Sequence, residues 1–125
     1  MAISSKRSKR KKTGGRYKSK LTKRSSNLRN HPRHTKLNEV TKSSTRTLGG
    51  GKKIFLLNSN VVNVYNPKDR NHKKLKILEI VSNQANRHFV RRNILTRGAI
   101  VKTEIGNVKI TSRPGQEGAI NGVLV

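Results

Sequence analysis

The chemistry of the chain changes at Lys53. Residues 1–53 hold 18 Lys and Arg, one acid (Glu39) and only 9 apolar residues. Residues 54–125 hold 12 Lys and Arg, four acids and 29 apolar residues. Fixing one residue costs about 1–2 kcal/mol of backbone entropy, and apolar burial is the main offset. The first part has too little apolar surface for that by itself. It is expected to be a basic extension that is disordered when free. The second part has enough for a small core and is expected to form the folded domain.

That second part reads as strands. Ile54–Leu57 and Val61–Tyr65 come first, and the turn-forming run Asn66-Pro67-Lys68-Asp69-Arg70-Asn71 follows. Lys74-Leu75-Lys76-Ile77 alternates as a half-buried strand does, and apolar residues continue to Val81. Residues 82–87 are polar and predict a loop. His88–Leu95, Ala99–Thr103, Val108–Ile110 and Ala119–Val125 complete the set, with Pro114–Gly118 as another loop. Short strands at intervals of roughly 8–12 residues predict an all-β fold, a small closed or partly closed β-barrel carrying a long, basic, irregular N-terminal extension.

Charge narrows the partner. The chain has 30 Lys and Arg against 5 Asp and Glu, a formal net charge of +25. Self-repulsion of that size opposes compaction unless a polyanion is the usual neighbour. Phosphate neutralisation with counterion release makes nucleic acid the leading candidate. A membrane surface normally requires an amphipathic helix with bulky apolar residues, and this basic region has almost none. No apolar run approaches the roughly 18–20 residues of a membrane span. Met1–Lys12 has no apolar stretch of the kind a signal peptide carries. With no cysteine, disulfides and thiolate-bound metals are excluded, which fits a reducing compartment.

The densest cationic run is Lys6-Arg7-Ser8-Lys9-Arg10-Lys11-Lys12. Repulsion keeps such a run extended in water. Thr13-Gly14-Gly15 then lets the backbone turn and approach phosphates closely, and Arg16 follows. Lys18, Lys20, Lys23, Arg24, Arg29 and Arg33 extend the candidate RNA-binding set along the extension. Arg46-Thr47-Leu48-Gly49-Gly50-Gly51-Lys52-Lys53 resembles a phosphate-binding loop superficially. It fails that pattern, because Arg46 stands where the first glycine belongs and Lys53 replaces the magnesium-binding Ser or Thr. A glycine turn that delivers Arg46, Lys52 and Lys53 to RNA through Gly49 and Gly50 fits better, with a plain hinge as the bland alternative.

In a regular strand Arg91 and Arg92 point to opposite faces. Either a bulge occurs there, or one guanidinium crosses the barrel rim. Arg97 and Arg113 add cations near turns, and guanidinium groups suit bidentate phosphate contacts. An ordinary solvated strand edge explains them equally well. His31 and His34 have a His-x-x-His spacing but no further ligand nearby, so neither a metal nor another cofactor is expected. The five acids are scattered singly, and no acid/base pair, nuclease cluster or small-molecule substrate site emerges. The chain is therefore not expected to be an enzyme. Four aromatics (Tyr17, Phe55, Tyr65 and Phe89) are too few for base-stacking platforms, so recognition is expected to rest on phosphate, sugar and shape. A chromatin or DNA-compaction protein is the competing reading.

Five stretches occur in an order that resembles one family: Lys12–Arg16, the Gly49-Gly50 turn, Asn86–Ile94, Thr96–Ile100 and Thr111–Gly118. The chain resembles small-subunit ribosomal protein eight of the eukaryotic/archaeal type, over essentially its whole length. The ending Asn121–Val125 and the absence of a large insertion look like the short archaeal form. The resemblance implies a small β-barrel with a basic extension in small-subunit ribosomal RNA, neighbouring ribosomal proteins as partners, and a cytoplasmic location. The family pattern usually has a charged residue where Leu48 stands and Asn where Gly51 stands.

Overall fold

The computed structural model describes residues 3–4, 8–18 and 28–125. They form two compact units, 1–32 and 33–125. The compositional step at Lys53 therefore lies inside the second unit. In the first unit β1 (Ile3–Ser4) pairs antiparallel with β2 (Leu28–Arg29). Lys9–Tyr17 makes a tight hairpin of its own.

The second unit is built on a closed barrel of five strands. These are β5 (Val61–Asn66), β6 (Asn71–Ser82), β7 (Ile100–Thr103), β8 (Asn107–Ile110) and β9 (Asn121–Leu124), in that order around the wall. Neighbours are antiparallel except where β9 closes the ring by pairing parallel with β5, Val64 opposite Gly122. The alternation seen in the sequence sorts the side chains. Val62, Val64, Ile77, Ile80, Val101, Val108 and Ile110 point inward and are almost fully buried. Leu56, Leu95, Ala99 and Ile120 join them in one core. Closure at this size leaves room only for side chains. It also requires a glycine at 122, where a Cβ would lie 2.5 Å from Val108 Cγ1 and 3.0 Å from the Lys109 carbonyl oxygen.

Strong curvature comes from β6. Its pairing with β7 shifts register between Ile77 and Glu79 and again between Ile80 and Ser82. Each shift is a bulge, which bends and twists a strand. Leu78 and Val81 are the extra residues, and both are exposed. The all-β barrel expected from the sequence is what the structure contains.

The other sheet of this unit is a hairpin, β3 (Thr41–Arg46) with β4 (Lys52–Asn58). Sequence reading assigns β3 to the extension because TKSSTR has no apolar residue. It is a strand held by its ladder to β4 rather than by burial. Upstream of it, Thr35 is fully buried and donates its hydroxyl to the Leu56 carbonyl at 2.9 Å. Lys36 and Leu37 bond backbone to backbone with Leu57 and Asn93. These bonds fix the segment before β3 to the body despite its polar composition.

One expected strand is not there. His88–Arg91 is a single helical turn, α1, within the stretch 88–95 read as extended. Asn86 accounts for it, because its side-chain oxygen accepts from the His88 amide at 2.9 Å and its carbonyl from the Phe89 amide at 3.0 Å. Asn93, at φ +52°, ends the turn. Asn tolerates that left-handed conformation better than most residues.

Candidate nucleic-acid interface

In the first unit, the predicted glycine turn is a three-residue hairpin loop. The Lys11 amide donates to the Gly15 carbonyl at 2.7 Å and the Gly14 amide to the Lys11 carbonyl at 3.0 Å. Gly14 closes the loop at φ +83°, where a side chain would be strained. Arg10 and Arg16 form a bridge pair. The Arg10 guanidinium donates to the Gly14 carbonyl at 2.9 Å, and Lys11 Nζ stands 5.6 Å from the centre of the Tyr17 ring. Lys9, Arg10, Lys11, Lys12, Thr13, Gly14, Gly15, Arg16 and Lys18 are all exposed. Folding back the run thus gathers cations that are strung out along the sequence. Lys6, Arg7, Lys20, Lys23 and Arg24 lie outside the described residues, as does the side chain of Arg29.

In the second unit, the β3–β4 hairpin carries the largest group of candidates. Its tip is the 3-10 turn Leu48–Gly50, with Gly49 at φ +74° and Gly50 at φ +81°. The Thr47 amide donates to the Gly51 carbonyl at 2.7 Å below it. Register places Arg46 opposite Lys52 and Thr45 opposite Lys53. Lys53 Nζ donates to Gln116 Oε1 at 2.6 Å. Like charges directly opposed across a ladder are destabilising. Here two cations face each other with no acid among the hairpin's residues 41–58.

Arg33 behaves differently from the rest. Its guanidinium lies over the Phe55 ring, 3.5 Å from the centroid. It donates to the Gly115 carbonyl at 3.3 Å and to Thr45 Oγ1 at 3.4 Å. A residue nominated by its charge is thus engaged with three segments of its own unit.

Arg91 and Arg92 do not straddle a strand. On and just after α1 they are both exposed, while Phe89 and Val90 are half-buried. His88, Arg91 and Arg92 occupy one side of a helical turn by their spacing of three and four. Arg97 is exposed before Gly98. Arg113 is exposed at the loop 113–118, where its carbonyl accepts from the amides of Gln116 and Glu117 at 2.8 and 2.9 Å. The barrel wall carries further lysines beyond the candidates read from the sequence. Lys74, Lys76 and Lys109 all face out, and the same alternation that marked Ile77 and Ile110 as inward marks them as outward.

Acids do little to neutralise this surface. Among the described residues one ion pair forms, Lys102 with Glu79 at 3.5 Å, and both side chains are more than half exposed. Among the described residues no group of His, Cys, Asp and Glu could hold a metal ion. His34 packs edge-on against Phe89 instead, with ring centroids 5.3 Å apart. No helix among the described residues is long and apolar enough to cross a membrane.

Fold and surface define a small, strongly basic β-barrel protein with cationic hairpins. Residues 4–125 match the family described as Ribosomal protein S8e. The chain is similar to small ribosomal subunit protein eS8 of Methanococcus aeolicus, 44% identical over all of this chain and 98% of the relative. The protein of that name from Picrophilus torridus is 42% identical, with both chains covered completely, and that from Methanosarcina barkeri is 40% identical over 94% of each. The chain belongs to the ribosomal protein S8e family.

Proposed function

We propose that this chain is a structural constituent of the small ribosomal subunit, working in the cytoplasm as part of that particle. The observation that carries this reading is the full-length similarity to archaeal small-subunit proteins. Its role is to hold folded ribosomal RNA by phosphate and shape, and so to support assembly and translation. No chemical step on a small molecule is part of that role.

The manner of binding follows from the side chains. Phe55 is buried, Phe89 is half-buried against His34, and Tyr65 leans on His72 with centroids 4.9 Å apart. None of these three rings offers a platform on which successive bases stack, and Tyr17, exposed beside Lys11, is a single ring rather than a series. The cations supply the binding, with the Lys9–Tyr17 hairpin, Lys18, Arg46, Lys52, Arg91, Arg92, Arg97 and Arg113 as the proposed phosphate contacts. The basic extension is proposed to take its final path against the RNA, in contact also with neighbouring ribosomal proteins. Chromatin or DNA compaction, the other reading of the charge, gains no support from the relatives.

Sedimentation of cell lysate at moderate salt tests the assignment. The protein is expected in the small-subunit peak, and its recovery away from that peak would sink it. Deleting residues 1–16 is expected to flatten the salt dependence of RNA binding; an unchanged slope would remove the extension from the mechanism.

A further inference from the structure

The β3–β4 hairpin has two unlike faces. On one, Thr45 pairs with Lys53 across the ladder and Ser43 with Phe55. Arg33 covers the inner part of that face, its guanidinium stacking on Phe55 and bonding to Thr45 and Gly115, while Thr45 and Lys53 stay exposed toward the tip. The loop 113–118 also closes on it, through Lys53 and Gln116. The approach is tight, since a Cβ on Gly115 would stand 2.9 Å from the Arg33 carbonyl oxygen. The far edge of β4 is occupied as well, with the Leu56 amide donating to the Pro114 carbonyl at 3.0 Å. The opposite face presents Arg46 beside Lys52 with Ser44 behind them, all exposed, and Ile54 half-exposed further in, where a Cβ on Gly118 would stand 3.0 Å from its Cγ2. From Ser44 to Arg46 the strand rises roughly 7 Å, and the turn Leu48–Gly50 caps it.

We propose that this hairpin is a preformed RNA-docking blade whose working face is Arg46 and Lys52, and that Arg33 is a positioning residue that fixes its angle rather than a phosphate contact. The inference rests on the ribosomal RNA reading above. Two cations held side by side repel one another in the free protein and gain together when phosphates pass between them. A two-stranded ribbon is otherwise free to twist and swing, and loss of pre-organisation is loss of affinity. Arg33 supplies what a lysine cannot, a planar group that stacks on a ring while its fork bonds to two different segments.

Salt dependence separates the roles, because the slope of log K against log salt falls by about one unit for every phosphate that a variant no longer neutralises. The full chain is titrated onto small-subunit ribosomal RNA transcribed from Methanococcus aeolicus, with duplex DNA as competitor. The exposed double variant Arg46→Thr/Lys52→Thr is expected to lower the slope by about two; an unchanged slope overturns the blade. Arg33→Lys, which keeps the charge, is expected to lower the slope by about two as well, with at least a tenfold loss of affinity, and to add little to the double variant. Arg33→Lys equal to wild type, with Arg33→Met lowering the slope by one, overturns the positioning role and makes Arg33 an ordinary contact. Amide exchange gives a second measure: in Arg33→Lys it should quicken at Thr45, Arg46 and Lys53 while Val101 and Ile110 keep their rates. Uniform quickening overturns the proposal. Wild type that prefers duplex DNA refutes the ribosomal reading instead, a result distinct from all of these.

Discussion

The β3–β4 hairpin and the five-stranded barrel use the same backbone geometry to opposite ends. In the barrel each strand alternates between a packed interior and a wet exterior, and its stability comes from burial. In the hairpin β3 is exposed nearly throughout, and only Phe55 and Leu56 at the inner end of β4 are buried. Its order comes from a ladder, a covering loop and one arginine. The barrel therefore rests on its interior, while the hairpin is set by a few polar contacts and carries two directly opposed cations, Arg46 and Lys52.

Leu56 is where the two regions meet, and truncating it should have the largest effect. Leu56→Ala is expected to cost about 2–5 kcal/mol in denaturant unfolding; a loss below about 1 kcal/mol would mean that β4 contributes little to the barrel core. Gly122→Ala tests the barrel by itself. The new methyl meets Val108 and the Lys109 carbonyl, so a loss of about 1–3 kcal/mol is expected in thermal unfolding. An unchanged melting temperature would show that the β8–β9 seam can open without cost.

Gly49→Ala tests the hairpin by itself. A Cβ there meets nothing within 4 Å, so the whole penalty is backbone strain at φ +74°, about 1–2 kcal/mol. It should appear as faster exchange in hairpin amides with barrel amides unmoved, and an equal change in both would mean that hairpin and barrel open together. The smallest effect is expected from Arg46→Thr in the RNA-free protein. Relief of the Arg46–Lys52 opposition should steady the hairpin by a few tenths of a kcal/mol, read from the same exchange rates. A destabilised hairpin would show that the pair is not repulsive.

Much of the barrel was legible because its strands carry their own alternation, as in Lys74-Leu75-Lys76-Ile77. β3 was not, since a strand exposed on both faces has no apolar signature. Nor was α1, because four residues are too short to display a helical period and the cause lies in the side chain of Asn86 and the conformation of Asn93. The cationic candidates were legible as charge, but charge could not distinguish Arg33 from Arg46. That distinction depends on Phe55, Thr45 and Gly115, which lie 12 to 82 positions further along the chain. Adjacent arginines at 91 and 92 signalled a departure from regular strand, and a helical turn supplies it without a bulge.

The parallel seam between β5 and β9 has a consequence for timing. β5 must wait for a partner that begins at Asn121, 58 positions after its own Asn63. At synthesis rates of about 5–20 residues per second, that interval is roughly 3–12 s. Throughout it β5 has one unpaired edge, and the basic residues 1–32 have already been made. A nascent copy therefore carries its more densely cationic unit, 12 Lys and Arg with no acid, before its barrel can close, and whichever polyanion is nearby meets that unit first.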